Sequence, residues 1–334
     1  MINKKGSAYI CSFVGILVLI VISLIVGKYS MSLEEVVDSK NYIFSEGSNM
    51  PNAAFVILSI RLPRVLMALL IGSSLAVSGA SMQALFKNPL ASPKILGVFS
   101  GSAFGIALGL VVFHQTIYAY FMAFIFGVIA VFMTYKIGKQ EKRSSVLLLI
   151  LAGITVDAFF TALLALVQFN ANVETELPSI VYWLMGSLSG VSMNDVKWVV
   201  VPIILCLGII YTLRWKLNIL SLSNEEAISL GFNIKGYKVI VIIIVTILSA
   251  ISVSICGMIG WVGLITPHIG RIFVGTDHEK LIPTCVVLGA VYLLVMDVGC
   301  RCLFKSEVPL SILTAFLGAP FFAYLLKCKG GMWQ

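Results

Sequence analysis

Apolar runs of about 20 residues follow one another along this chain, divided by short breaks of polar, glycine and proline residues. Runs of that length predict ten helices, near residues 8–28, 55–84, 95–113, 117–135, 145–169, 196–213, 239–257, 259–273, 281–300 and 308–326. The pair around 257–273 is the least regular, because Gly257, Gly260, Gly263 and Pro267 interrupt its helical pattern. The first run follows Lys4 and Lys5 but closes on no A-x-A-like cleavage site, so it reads as a retained helix and not a secretory signal. The expected fold is an all-α polytopic membrane protein of about ten transmembrane helices, a single domain over 1–334 with a polar segment at 217–233. Gly101, Gly105 and Gly109 form a ladder on the third span, and Gly72, Ser73, Ser74, Ser78 and Gly79 thin one side of the second. Both predict close helix packing.

Composition sharpens this picture. Hydrophobic residues make up 59% of the 334 residues and charged residues 11%; mean hydropathy is +1.03. A soluble domain carries about 25% charged residues. The net charge of +8 suits basic cytoplasmic loops better than a nucleic-acid partner. With both termini inside, 16 of the 23 lysines and arginines fall on the inner side, Lys142 and Arg143 among them. The other seven, Lys28, Lys40, Arg61, Arg64, Lys197, Arg301 and Lys305, fall outside, where acids such as Glu34, Glu35, Asp38, Glu46, Glu174, Glu176, Asp195 and Glu307 also lie. Seven scattered cysteines form no C-x-x-C pair and read as packing residues.

Few residues depart from the apolar pattern, and these are the candidates. Arg61 and Arg64 lie three apart at the outer mouth of the second span, and Arg301 reaches the same side, with Asp297 four residues before it in ion-pairing order. Gln83, Lys87, Asn88, Pro89, Leu90 and Pro93 must turn the chain, since neither proline continues a helix. In Leu217–Gly231, Asn224 is placed to cap a short helix that Gly231 ends, with Glu225 and Glu226 in its first turn. Asp157 falls at membrane depth in the fifth span, where an ionisable group is costly and a candidate for the transport path or an interhelical hydrogen bond. His268, Arg271 and the Thr276–His278 stretch match no metal-ligand spacing, so no metal site is expected. The chain has no paired nucleophile and base, and no G-x-x-x-x-G-K-[ST] phosphate loop. It is expected to be no enzyme and to hydrolyse no ATP.

Two stretches carry a resemblance. RLPRVLMALLIGSSLAVSGASMQALFKNPLASPKILG begins at Arg61, and GMIGWVGLITPHIGR covers 257–271. With YWLMG at 182–186 and a close beginning EVPLSILTAFLGAPFF, they resemble the FecCD-type permease subunits of type II ABC importers for iron-siderophores, haem and vitamin B12. The likeness covers nearly the whole chain. It departs at Lys87 for arginine, Ser223 for glycine and Ser311 for glycine.

The resemblance implies a bundle that dimerises as a homodimer or with a paralogue, and takes an iron chelate from an extracytoplasmic binding protein. Arg61, Arg64 and Arg301 would receive that protein. Leu217, Asn218, Leu220, Ser223, Glu225, Glu226, Ala227, Leu230 and Gly231 would couple to a cytoplasmic ABC ATPase dimer, which holds the ATP and Mg; this chain itself has no cofactor. Gln83, Asn88, Pro89, Pro93, Gly263, Pro267, His268, Arg271 and Asp297 would be structural. It also implies a bacterial cell membrane with cytoplasmic termini. Haem or cobalamin import is the nearer alternative. An ion-coupled secondary transporter is the farther one, and would call for clustered intramembrane acids and repeated broken helices.

Overall fold

A computed structural model describes residues 4–27, 29, 32–42, 51–139, 146–304 and 306–329. Lys28, Glu46, Lys142, Arg143 and Lys305 lie outside the described residues. The chain runs α1 (Lys4–Ile25), α2 (Leu33–Asp38), α3 (Asn52–Phe55), α4 (Leu62–Phe86), α5 (Val98–Phe113), α6 (Thr116–Gly138) and α7 (Val146–Asn170). It continues through α8 (Glu176–Leu184), α9 (Met193–Ser221), α10 (Asn224–Ser229), α11 (Ile234–Cys256), α12 (Val262–Val274), α13 (His278–Cys302) and α14 (Leu310–Lys329). A π-helical stretch, Val56–Arg61, joins α3 to α4 without a break. The described residues contain no strand.

The core is built around α4. Its residues 71–86 are all buried, as befits a helix whose residues are apolar or small on every side. Glycines set how near its neighbours come. A Cβ at Gly72 would run into the Gly289 carbonyl of α13, and one at Gly79 into the Gly263 carbonyl of α12. The expected ladder on α5 does the same against α6, where Gly101, Gly105 and Gly109 lie on Phe126, Met122 and Ala119. The Ser73 hydroxyl in the α4–α13 contact shares its proton between Leu69 O and Val286 O, both at 2.8 Å.

Six helices among the described residues are long and apolar enough to cross a membrane: 52–86, 116–138, 146–170, 193–221, 234–256 and 278–302. Shorter apolar helices, 15–25, 98–113, 262–274 and 310–324, stand where the other four spans were expected. The irregular pair at 257–273 resolves into a helix end and a short helix. Gly257 (φ 71°) and Trp261 (φ 69°) leave the helical region, and α12 has 13 residues. That is about 20 Å of helix, short of the roughly 30 Å hydrocarbon core. The expected span 259–273 is therefore not a full crossing helix. α9, expected to stop near 213, runs eight residues further because Leu217 and Leu220 are buried in the core.

Candidate functional site

The chemistry-bearing residues gather at the two ends of α4, which lie about 37 Å apart along its 25 residues.

At the first end, Arg64 Nε donates to Asp297 Oδ1 at 2.6 Å and Nη1 to Glu307 Oε2 at 3.0 Å. Arg301 Nε is 3.1 Å from Asp297 Oδ2, so one carboxylate holds two arginines. Arg301 Nη2 also donates to Ser23 Oγ at 2.7 Å, and Arg61 Nη1 donates to Leu24 O and Ile25 O at 2.6 and 2.7 Å. Together these bonds fasten the end of α1 to α4 and α13. The Asp297–Arg301 pair forms as its spacing predicts. Arg61, Arg64 and Arg301 are themselves buried within this chain, 4%, 5% and 6% exposed. A side chain placed outside by loop counting still turns inward when it finds a carboxylate and free carbonyls there. Ser23 was missed in the sequence, and Glu307 was placed on the outer side without its partner Arg64, since no local pattern records either contact.

At the second end, three segments far apart in sequence meet. Lys87, left-handed at φ 51°, stops α4; the Asn88 side chain accepts from Leu90 N at 2.9 Å and shapes the turn. Lys87 Nζ donates to Asn224 Oδ1 at 3.3 Å, and His268 hydrogen-bonds the Pro89 backbone. His268 is buried beside Phe322, with ring centroids 5.5 Å apart. Gln83 Nε2 reaches Gly263 O at 3.4 Å. Pro93 and Pro267 are buried, and Arg271 is partly so. Asn218 binds the third segment: its Nδ2 donates to Asp277 Oδ1 at 2.8 Å, and its Oδ1 accepts from His278 N at 2.8 Å. The bond from Asn218, followed by one from Glu279 N, holds the Asp277 carboxyl below the usual carboxylate range.

The expected short helix is present as α10, with its cap one residue earlier than expected. Ser223 is the cap, not Asn224. Ser223 Oγ accepts from Glu226 N at 3.2 Å and Glu226 Oε2 accepts from Ser223 N at 2.8 Å, a reciprocal capping box. Those bonds lower the Glu226 carboxyl as well. Gly231 follows at φ 69°. Among the residues singled out here, Leu217, Leu220 and Ala227 are buried and anchor the segment. Ser223, Glu225, Glu226, Leu230 and Gly231 are exposed. Ile228, missed in the sequence, is 65% exposed, as is Leu230; an apolar residue inside a six-residue polar helix was the available signal.

Asp157 belongs to neither end. It is the twelfth of the 25 residues of α7, partly exposed, with no hydrogen bond or ion pair to any described residue.

Residues 15–328 match the family described as the FecCD transport family. The chain belongs to that family. It is 40% identical over 319 residues to the molybdate import system permease protein MolB of Haemophilus influenzae, with 93% of each chain covered. It is 38% identical over 313 residues to a Helicobacter pylori protein named a probable iron chelatin transport system permease protein, covering 92% of this chain and 94% of that one. A solved metal-chelate type ABC transporter in an inward-facing conformation superposes with a TM-score of 0.86 at 37% identity, covering 96% of this chain and 99% of that one. This FecCD member is thus a multi-pass membrane permease of the ABC type, a transport subunit and not a catalytic one. Its relatives carry different cargoes by name, so family membership leaves the cargo open.

Proposed function

We propose that this chain is one of two permease subunits of an ATP-driven importer for a metal chelate, with ferric siderophore as cargo and haem or cobalamin as the alternatives. The α10 end faces the cytoplasm, as the balance of basic residues requires, and both termini lie on that side. A separate ATPase dimer docks there and supplies ATP and Mg.

The observation that carries this reading is the meeting of the 87–93 turn, the 217–231 segment and the 263–278 segment in one surface. A push on α10 passes through Lys87 to the end of α4, and through Asn218 to the start of α13. Hydrogen bonds thus join the proposed docking surface to the central helices, the kind of connection a two-state switch needs.

At the opposite end the binding protein delivers cargo. Arg61, Arg64 and Arg301 shape that receiving surface from within by fixing α1, α4 and α13, and Glu307, with its side chain 34% exposed, is the member of the network nearest solvent. An oxyanion cargo is the second reading, favoured by the 40% identity to a protein named for molybdate.

The docking surface is tested by the double variant Ile228→Glu/Leu230→Glu. Two exposed apolar anchors replaced by charge should abolish copurification of the ATPase and lower ATP-driven uptake about tenfold or more, at unchanged membrane abundance. Full uptake and a retained ATPase would place the docking surface elsewhere.

A further inference from the structure

Arg214, Trp215 and Lys216 belong to neither network, and they stand at one end of an exposed face of α9. We propose that this end binds the headgroup of an anionic phospholipid of the inner leaflet, held by Arg214, Lys216 and Lys235 around Trp215. The choice of leaflet rests on the orientation given above; the binding itself depends on no cargo and no ATPase.

α9 divides lengthwise into two sides. Val199, Ile203, Cys206, Ile210 and Leu217 recur every three or four residues and are buried. Val201, Ile204, Leu205 and Ile209 are exposed on the other side, and an exposed tryptophan closes that side at each end. Trp198 and Trp215 are 17 residues apart. That is about 25 Å of helix, close to the roughly 30 Å hydrocarbon core. Indole rings settle at the two membrane–water boundaries. A face of this length, apolar in between and tipped with tryptophan, fits lipid better than a second copy of the chain.

The two ends of that face differ in charge. Beside Trp198 stand Lys197 and, three residues before it, Asp195, one of each sign. Beside Trp215 stand Arg214 and Lys216, and Lys235 is exposed in the first turn of α11, which packs on α9. Aromatic rings fix the two flanking cations. The Arg214 guanidinium lies 4.0 Å from the centre of the Tyr211 ring, and its Nη1 donates to Tyr211 O at 2.8 Å. Lys216 Nζ lies 4.3 Å from the centre of the Tyr237 ring and donates to its hydroxyl at 2.6 Å. Phe232 stacks on that ring in turn, with centroids 4.6 Å apart.

No acid among the described residues pairs with Arg214, Lys216 or Lys235. In the adjoining 217–231 segment, Glu226 is engaged with Ser223, and Glu225 forms no ion pair among the described residues. Arg214 and Lys216 thus keep most of their N–H donors for another acceptor. Phosphate oxygens make charge-assisted bonds with such donors, and an anionic headgroup offers them at the depth of Trp215. Six more residues carry α9 to its end at Ser221, about 9 Å further on. A lipid held at Trp215 therefore sets the depth at which the 217–231 segment stands.

The test uses the transporter with its ATPase in phosphatidylcholine nanodiscs. A minor share of the lipid is either brominated phosphatidylglycerol or brominated phosphatidylcholine, and tryptophan fluorescence reports contact with bromine. The Trp215 signal is the difference between wild type and Trp215→Phe. Brominated phosphatidylglycerol should quench it about fivefold more than the same share of brominated phosphatidylcholine. Arg214→Gln/Lys216→Gln/Lys235→Gln should bring the two to parity, and so should high salt acting on wild type, where no substitution disturbs the fold.

Equal quenching by the two lipids in wild type overturns the site, as does a preference that neither the triple variant nor salt lowers. No quenching of Trp215 in wholly brominated phosphatidylcholine would place protein, a second copy or the ATPase, over this end and overturn it too. Selective quenching in a transporter that shows no ATP-driven uptake would leave the lipid site standing while the importer reading fails.

Discussion

Asp297 is wholly buried and forms ion pairs with two arginines that are themselves buried. Removing one member of such a group leaves a charge in the interior without its partner, at a cost of about 3–5 kcal/mol. Asp297→Ala should therefore lower membrane abundance and the thermal midpoint in detergent, and Asp297→Glu should recover part of the loss. Equal midpoints for wild type and Asp297→Ala would show that the network contributes nothing to folding. Half of this cluster was legible in the sequence. Asp297 and Arg301 lie one helical turn apart, and that spacing is a local property of the chain. Arg64 lies 233 residues from Asp297, and no local pattern records which helices α4 packs against. The inward turn of Arg61 was hidden for the same reason: its acceptors are the last carbonyls of α1 and of Tyr29, and helix ends leave such groups open.

α10 shows the same boundary one level up. A polar stretch with two early acids and a closing glycine announces a short helix, and the helix is there. Its register was missed by one residue because serine and asparagine cap equally well, and the reciprocal bond to Glu226 decides for Ser223. The α9 end was missed because charge at Arg214 and Lys216 suggests a membrane boundary, whereas burial of Leu217 and Leu220 carries the helix on.

The cap has a pH signature. The Glu226 carboxyl is held below its ordinary value in the folded chain, so the bond stabilises α10 above the unfolded carboxylate value, about 4.3. That contribution is lost as the pH falls through the folded value. Hydrogen exchange of the Ser223 and Glu226 amides, the two backbone donors of the box, should be slow at neutral pH and rise as acid protonates the Glu226 carboxyl, after correction for the intrinsic rate. Ser223→Ala should raise it already at neutral pH. Exchange that ignores both changes would mean the cap does not hold the helix.

The bundle as a whole follows from its apolar periodicity, which predicts where helices lie but not how the two irregular segments serve them. The glycines of 257–263 let α12 begin late and press against α4, and the prolines of 89–93 bring the start of α5 back to the same end. One surface then gathers α10, the end of α4 and the start of α13. The opposite end is locked by arginines.

The most direct measurement is uptake of a ferric siderophore by proteoliposomes holding two copies of this chain, its ATPase and its binding protein. Uptake is predicted to require ATP and the binding protein together, and to persist when ionophores abolish every ion gradient. Uptake driven by a sodium or proton gradient through this chain alone, with the ATPase absent, would contradict the account.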